Sequence, residues 1–546
     1  MNIFRFALFA TMLILIGSGV CAQDYFIPLN REWNLRYEPF LQTTKSNKLH
    51  TSIRPYRNDE IIAVANIDSI DTANFPITRF SKTLVGRKIF KEHLVQIKDD
   101  DFLIHADFIF EGRIGKDLPE TETLFTNSRG FWLGGTEGKR FSFSTTFFEN
   151  QARFPAYIDT FVTHYSIIPG EGRIKKQYGS YDYSNVTGTI SYTINRHFNV
   201  QFGHDKNFIG DGYRSLLLSD NANSYPFLKI STTAWKVKYV NLFTVLTDMQ
   251  FPAPNDIAFK KKYASFHYLD LNIGKHASFG ILESVVWSGD SARGQGFDIN
   301  YMNPFVFIRP VEFSIGSPDN MMLGFNLKVK LFSKLVFYGQ LMLDEFKLLE
   351  IRDGNGWFAN KQAFQLGLKS YDLPIKNLDV LTEFNYVRPF TYSHRTTFTN
   401  YAHFNQSLAH PLGSNFIESV SLINYKYKNF IFRFQFNYAE TASDTGNANL
   451  GNDIFKSYET YTFAYGNRML QGQRHNLIYS DIRAGYLINP RTNLCFEIGY
   501  SFRRMTMAKI KAFLYKHRFI FALLGIIFMY GVVGTMDYHD ERMMEC

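Results

Sequence analysis

Residues 430–438 read Phe-Ile-Phe-Arg-Phe-Gln-Phe-Asn-Tyr, so an aromatic residue occupies every second position. Between the aromatic residues stand Ile431, Arg433, Gln435 and Asn437. Successive side chains of a β-strand point to opposite faces of its sheet, and this stretch therefore predicts a strand with one aromatic and one largely polar face. Such strands are typical of a barrel that faces lipid on the outside and encloses a polar interior.

The same alternation recurs along the chain, for example over 323–331 and 494–502. Seventeen segments of this kind predict strands at 103–113, 128–136, 139–150, 186–194, 197–205, 226–237, 238–249, 262–273, 276–288, 321–332, 334–345, 362–370, 377–387, 416–427, 428–440, 476–488 and 492–503. They predict an all-β fold, an outer-membrane antiparallel β-barrel of about 18 strands. An odd number of strands leaves the chain on the outer side, so one closing strand is expected after residue 503.

The connections between these segments alternate in length. Short turns such as Glu137-Gly138 and Asn195-Arg196 follow long loops at 114–127, 151–185, 206–225, 250–261, 289–320, 346–361, 388–415 and 441–475. Outer-membrane barrels have short periplasmic turns and long extracellular loops. A secreted β-sandwich or β-propeller is the alternative, but neither requires this regularity.

The composition agrees with a β-rich membrane protein. The chain has 546 residues, of which 17% are aromatic, 45% hydrophobic and 20% charged. It lacks the repeated apolar runs of a polytopic helical protein, and it is too aromatic to be disordered. The net charge of +9 is spread along the chain without a dense basic tract, which argues against a nucleic-acid partner and suits anionic lipid or acidic glycan.

The N-terminus carries features of an exported protein. Residues 1–22 resemble a signal peptide, with Arg5, an apolar core and Val20-Cys21-Ala22 at the expected cleavage site. Lipidation of Cys21 is the alternative. Residues 23–102 are predicted to be a periplasmic segment, in which Thr83–Ile97 has apolar residues at helical spacing and would pack on the periplasmic mouth of the barrel.

The C-terminus departs from the barrel pattern. Residues 507–546 combine a basic flank, a largely apolar run at 519–536 and an acidic flank. These features are typical of one helical span in an inner membrane, and they fit neither a closing strand nor a polar barrel interior. We therefore hypothesise that this tail is foreign to the barrel, through a frameshift or a fusion. Resequencing the locus would test the hypothesis.

No motif indicates catalysis or a bound metal. The sequence contains no HExxH, GxSxG or P-loop motif, and its three cysteines lie too far apart to form a paired metal site. Asp99-Asp100-Asp101 lacks the alternating spacing of a calcium loop. The sequence therefore predicts no enzyme activity, cofactor or metal.

The densest group of polar residues follows the strand that ends near Gly203. Within His204–Asp220 we single out Asp205, Asp211, Tyr213, Arg214 and Asp220. The apolar run 216–218 predicts that this loop folds inward over the lumen. Two interpretations remain open: a plug whose charges pair with strand residues, or a glycan site in which Asp and Arg bind hydroxyls and Tyr213 stacks on a sugar.

Two further loop clusters are candidates for the same role. The first contains the candidate ligand residues Arg293, Asp298, Arg309 and Glu312. The second is the stretch Tyr401–Gly413. Both are predicted to be extracellular, and each alone is more typical of loop architecture than of a ligand site.

Four motifs stand out together: His204–Asp220; Asn303-Pro304 with Arg309-Pro310, Glu312 and Asp319-Asn320; Asp344-Glu345-Phe346; and Asn405 with Ala409-His410-Pro411-Leu412-Gly413. In these motifs, over about residues 75–503, the chain resembles the Wzi-type capsule-assembly family, and more closely its Bacteroidetes branch of RemB gliding-motility proteins. The resemblance implies an outer-membrane barrel of about eighteen strands that acts as a surface lectin and tethers capsular polysaccharide. It assigns no catalytic residue.

The leading hypothesis is thus a non-enzymatic barrel in the cell outer membrane that binds surface or capsular polysaccharide, with a possible part in gliding motility. The expected partners are this polysaccharide and outer-membrane lipid. A passive porin or channel is the alternative. An outer-membrane hydrolase is disfavoured because no Ser/His or Asp/His pair stands at recognisable spacing.

Overall fold

The computed structural model describes residues 28–43, 49–62, 70, 82–118, 122–138, 140–177, 179–250, 259–289, 296–304, 319–332 and 334–507. The predicted signal peptide and all of the C-terminal tail except Met507 lie outside these residues. Within them, no helix is both long and apolar enough to cross a bilayer.

Eighteen strands form one antiparallel sheet, to which the three-residue strand Lys175–Gln177 is added by pairing with Ser180–Asp182. In chain order they are β1 Val95–Lys98, β2 Phe102–Lys116, β3 Thr123–Glu137, β4 Phe141–Arg153, β5 Ser180–Thr193, β6 Phe198–Asp205, β7 Tyr225–Ala234, β8 Val237–Asp248, β9 Lys260–Ile273, β10 Ala277–Ser288, β11 Asn320–Leu331, β12 Leu335–Leu343, β13 Gln362–Tyr371, β14 Leu378–Val387, β15 Phe416–Tyr427, β16 Phe430–Ser443, β17 Gln473–Asn489 and β18 Leu494–Met507. Each strand pairs with its neighbour in the sequence, which is the up-and-down order predicted from the alternation.

The boundaries differ from the prediction mainly near the N-terminus. Strand β3 begins at Thr123, so the predicted long loop 114–127 is a connection of a few residues. The predicted loop 151–185 contains a helix, α4, at Ala156–Tyr165. Polar and glycine residues such as Asn127 and Gly130 interrupt the apolar alternation in β3, which is why the sequence placed its start too late.

The eighteenth strand among the described residues is the short strand β1, inside the segment 23–102 that was predicted to be periplasmic. The closing strand predicted after the strand 492–503 falls, beyond Met507, outside the described residues. Strand β1 pairs only with residues 103–106 of β2. Among the described residues, no backbone ladder joins β18 to β1 or β2, so the sheet is not closed by hydrogen bonds. We call the gap between β18 and β1–β2 the seam.

The two faces of the sheet differ as the alternation predicts. In β11, Asn326 and Lys328 are fully buried, whereas the neighbouring Leu327 is 40% exposed. Polar side chains thus point inward and apolar side chains outward, the arrangement of a membrane-spanning barrel. The buried inward charges need partners inside the barrel, because an unpaired buried charge costs several kcal/mol.

The N-terminal segment supplies these partners from inside the barrel. Helix α1 at Arg31–Thr43 and helix α2 at Asn58–Ile62 carry acidic residues that pair with inward charges of distant strands. Glu32 Oε1 lies 2.5 Å from Arg433 Nη1, and Glu38 pairs with Lys369. Residues 31–43 and 49–62 therefore lie inside the barrel, and not outside it as a periplasmic segment would.

Helix α3 at Leu84–Phe90 lies at the short-turn edge, within the stretch predicted to be helical. The side-chain amide of Asn489 donates to the carbonyl oxygens of Lys88 and Glu92. The helix thus contacts the turn between β17 and β18. The predicted helical stretch Thr83–Ile97 is too long, because residues from Val95 onward belong to β1.

Candidate functional site

The loop after β6 folds into the barrel, as the run 216–218 predicts. Leu216, Leu217 and Leu218 are fully buried. Gln340 Oε1 accepts a hydrogen bond from the backbone N–H of Leu216 at 2.8 Å, and the Tyr392 hydroxyl donates to the Leu216 carbonyl at 2.8 Å. The loop is therefore held by the inner side of β12 and by another inward loop.

Asp211 is a structural residue of this loop. Its carboxylate accepts hydrogen bonds from Thr51 Oγ1 at 2.5 Å and from Asn326 Nδ2 at 2.9 Å, and it lies 3.8 Å from Lys328 Nζ. Burial alone would raise the pKa of Asp211, but the Lys328 ammonium and these two donors lower it below its usual value. Asp211 thus joins the loop to the N-terminal segment and to β11, and it does not reach the cavity described below.

Arg214 is also committed to partners within the protein. Its Nη2 lies 3.2 Å from Glu418 Oε1, and Glu418 Oε2 accepts a hydrogen bond from His410 Nε2 at 2.6 Å. All three side chains are buried. This network joins the loop to β15, as the plug interpretation expects.

Tyr213 is less available for sugar stacking than the sequence suggests. The guanidinium carbons of Arg31 and Arg214 lie 4.6 and 4.9 Å from the centre of its ring. Cation–π contacts of this kind are favourable when they are shielded from water. The ring therefore contacts two arginine side chains of the protein itself.

A cavity of about 480 Å³ lies between helix α1, the loop after β6 and the inner side of β2–β5. Four of the predicted site residues line it: Asp205, Tyr213, Arg214 and Asp220. The structure thus brings together most of the first cluster.

The strands contribute a second wall of the cavity that sequence reasoning missed. Ser128 of β3 stands directly opposite Asn150 of β4. Thr126 and Phe148 are the preceding inward-facing residues of β3 and β4, respectively, and also line the cavity. Among the described residues, the side chains of Ser128, Asn150 and Thr126 have no protein hydrogen-bond partner. We call these four residues the strand patch. The patch could have been found by aligning the inward-facing residues of adjacent predicted strands in register.

Of the candidate ligand residues of the second predicted cluster, the structure describes only Asp298, which does not line this cavity. The Asp298 side chain accepts a hydrogen bond from the backbone N–H of Asn300 at 2.9 Å and caps the 3-10 turn Ile299–Met302. It therefore has a local structural role. Arg293, Arg309 and Glu312 lie outside the described residues.

The third cluster is interior rather than exposed on the surface. His403 Nδ1 accepts a hydrogen bond from the backbone N–H of Thr247 at 2.9 Å, and its Nε2 lies 3.2 Å from the Ser224 carbonyl oxygen. These contacts select the neutral tautomer with the proton on Nε2. Burial lowers the pKa of His403 to about 3.

This histidine predicts a loss of stability in acid. Its pKa in the folded state lies below its usual value of 6.5, so its contribution is fully present above pH 6.5 and is lost as the pH falls towards 3. The expected slope is about 1.4 kcal/mol per pH unit. We expect the temperature at which the folded gel band disappears to fall between pH 6.5 and 5, and to fall less in His403→Gln. The exposed His276→Gln variant is the control; an unchanged pH slope in His403→Gln would contradict the prediction.

One group of described residues has the geometry to offer three metal ligands: Glu32, Cys495 and Glu497. However, Arg433 lies 2.5 Å from Glu32 and 2.6 Å from Glu497. A guanidinium already neutralises both carboxylates, so the group is better explained as an ion-pair network than as a metal site.

The fold of this chain resembles that of a known outer-membrane protein. No protein-family model and no curated protein matches the sequence. Among solved structures, Wzi of Escherichia coli, described as a carbohydrate-binding β-barrel involved in group 1 capsule assembly, matches with a TM-score of 0.50 and 12% identity over 89% of this chain and 96% of Wzi. The fold is that of an outer-membrane β-barrel.

Two porin structures from Pseudomonas aeruginosa are less similar. OprD matches with a TM-score of 0.39 and 10% identity, over 74% of this chain and 89% of OprD. OccK8 matches with a TM-score of 0.39 and 8% identity, over 74% of this chain and 94% of OccK8.

Proposed function

We propose that the chain is a non-enzymatic barrel of the outer membrane that binds surface polysaccharide in the cavity beside β2–β5. The strand patch is the observation that carries this proposal. It presents an aromatic ring and unpaired hydroxyl and amide groups to an enclosed space, whereas the charges of the neighbouring loop are paired within the protein. The Wzi-like fold supports the proposal, because Wzi is described as carbohydrate-binding.

The chemistry of the patch suits a sugar. Phe148 is half-buried and offers a ring to the apolar C–H face of a pyranose, while Ser128 and Asn150 can exchange hydrogen bonds with its hydroxyls. Adjacent strands are about 4.8 Å apart, so side chains in register form an evenly spaced row. Neutral donors and acceptors of this kind bind hydroxyl groups without requiring a charged ligand.

Replacing Phe148 by alanine is expected to weaken polysaccharide binding about tenfold or more, which equals about 1.4 kcal/mol. The reason is the loss of the only aromatic ring of the strand patch. Binding would be measured by calorimetry with surface polysaccharide extracted from the strain that encodes the chain. Phe147→Ala is the matched control. Phe147 directly precedes Phe148 in β4, but it packs against Phe131 on the outward face of the sheet. Equal losses in both variants would argue against the site.

The passive channel is less well supported. Residues 31–43 and 49–62 enter the interior from the short-turn edge, and the loops at 206–220 and 388–415 enter from the other edge. A filled interior leaves little room for free diffusion. Liposome swelling is the test, and rapid sugar flux through the wild-type protein would favour the channel.

The cellular role is proposed from the resemblance to the capsule-assembly family and to its RemB branch. We expect a deletion strain to lose capsule retention, gliding or both. Unchanged retention together with unchanged gliding would contradict the proposal at the level of the cell, whatever the purified protein binds.

A further inference from the structure

The cavity reaches the wall of the barrel at the seam. Glu111 and Arg113 of β2 line the cavity, and both belong to the part of β2 that pairs with β3 but not with β1. Among the described residues, no strand pairs with the other edge of this part of β2, and the cavity extends to it. Non-helical backbone at membrane depth is tolerated where it lines a polar cavity, whereas a free edge in pure lipid is costly.

Beyond Ala106, where β2 has no pairing with β1, the seam cannot close with the antiparallel ladder that forms the rest of the sheet. Neighbouring strands alternate in direction, so β2 and β18 run the same way. A side chain of β18 makes a contact there instead: the guanidinium carbon of Arg503 lies 4.4 Å from the ring centre of Tyr157 in helix α4. Side-chain contacts can separate without breaking a backbone ladder.

The strand residues on both sides of the seam lie at the depth of the apolar belt. Phe108 and Phe110, which precede Glu111 on β2, are 80% and 71% exposed, and Phe496 and Ile498 on β18 are 68% and 69% exposed. Exposed apolar residues on both sides of the opening indicate contact with acyl chains. A ligand that enters sideways must therefore be dissolved in the bilayer while its polar part reaches the cavity.

We propose that the ligand is a lipid-anchored glycan, whose sugar enters the cavity through the seam while its acyl chains remain in the membrane. This inference rests on the proposed function, because it names the class of polysaccharide that the strand patch binds. Residues of helix α1 and of the loop Asp205–Asn221 line the cavity on sides other than β2. The seam is thus the lateral route to the strand patch.

The test cross-links the two edges of the seam and measures the affinity of the protein for one glycan with and without its lipid anchor. Phe110→Cys and Phe496→Cys place outward thiols on the two edges, in a Cys495→Ser, Cys546→Ser background. A reducible bis-maleimide that spans about two strand spacings, about 10 Å, would bridge them. The probes are lipopolysaccharide from the source strain in mixed micelles and the same glycan released from its lipid by mild acid.

We expect bridging to lower the affinity for lipopolysaccharide at least tenfold, to leave the affinity for the released glycan within twofold, and to be reversed by reduction. Equal affinities for lipopolysaccharide before and after bridging would overturn lateral entry while leaving the proposed function intact. Failure of the wild-type protein to bind either probe would instead overturn the proposed function.

A second variant does not depend on cross-linking. A side chain built at Gly115, near the end of β2, meets nothing within 4 Å. Gly115→Trp is therefore expected to fold and to obstruct the seam, with Gly115→Ala as its control. Tighter or unchanged lipopolysaccharide binding in Gly115→Trp would contradict the inference.

Discussion

Replacing Glu38 by lysine is expected to turn a barrel with a filled interior into a conducting pore. Glu38 pairs with the buried Lys369 of β13, and the substitution would place two ammonium groups in contact. Repulsion between like charges in such a position costs several kcal/mol. The other contacts of helix α1 do not offset this cost, so the helix is expected to move out of its place. Single-channel recording in planar bilayers is the measurement, with discrete conductance steps in the variant and none in the wild type.

A charge swap provides the control for this experiment. In Glu38→Lys with Lys369→Glu the ion pair is restored with reversed polarity, and the conductance should fall back towards that of the wild type. Asp353→Lys changes the charge equally on the exposed helix Leu348–Asp353 and should have no effect. Conductance in the swap as high as in the single variant would show that α1 is not held by this pair.

Glu418→Leu is expected to destabilise the folded barrel by about 3–5 kcal/mol, because the substitution leaves the buried Arg214 guanidinium without its carboxylate. Glu418 also accepts hydrogen bonds from His410 Nε2 at 2.6 Å and from Asn385 Nδ2 at 3.2 Å. Heat-modifiable gel migration measures the effect, and the folded band should disappear at a clearly lower temperature.

The matched control is Glu149→Leu, an exposed glutamate of strand β4. Its replacement should leave the transition temperature nearly unchanged. Arg214→Ala should also destabilise the barrel, whereas a residue that served only to bind sugar would alter affinity alone. An intact transition in Glu418→Leu would argue that the loop after β6 is not anchored through this network.

The strands could be predicted from the sequence because their signal is local. In residues 430–438, side chains two positions apart share one face of the sheet, so the alternation of residue types identifies the face of each. The structure has strand β16 there, at Phe430–Ser443. The inward fold of Leu216–Leu218 was also predictable, because three consecutive apolar residues cannot face water comfortably.

The interior contacts could not be predicted in the same way. Glu32 and Arg433 are 401 positions apart, and nothing in either neighbourhood specifies the other. The strand patch was hidden for a different reason. Ser128 and Asn150 are ordinary inward residues until the register of β3 and β4 sets them opposite each other. Strand β1 has only four residues, too few for an alternation of apolar and polar residues to be recognised.

The position of the N-terminal segment also constrains the order in which the molecule can assemble. Arg36 donates to the carbonyl oxygen of Pro490, 454 positions later, while Glu60 pairs with Lys238 of β8. The first described residues thus bind strands that are synthesised near the middle and near the end of the chain. The N-terminal segment would have to be passed through the interior of a finished barrel. The strands must therefore assemble around this segment instead. Contacts over such separations slow folding, and the inner segment stays exposed to aggregation until its last partners are in place.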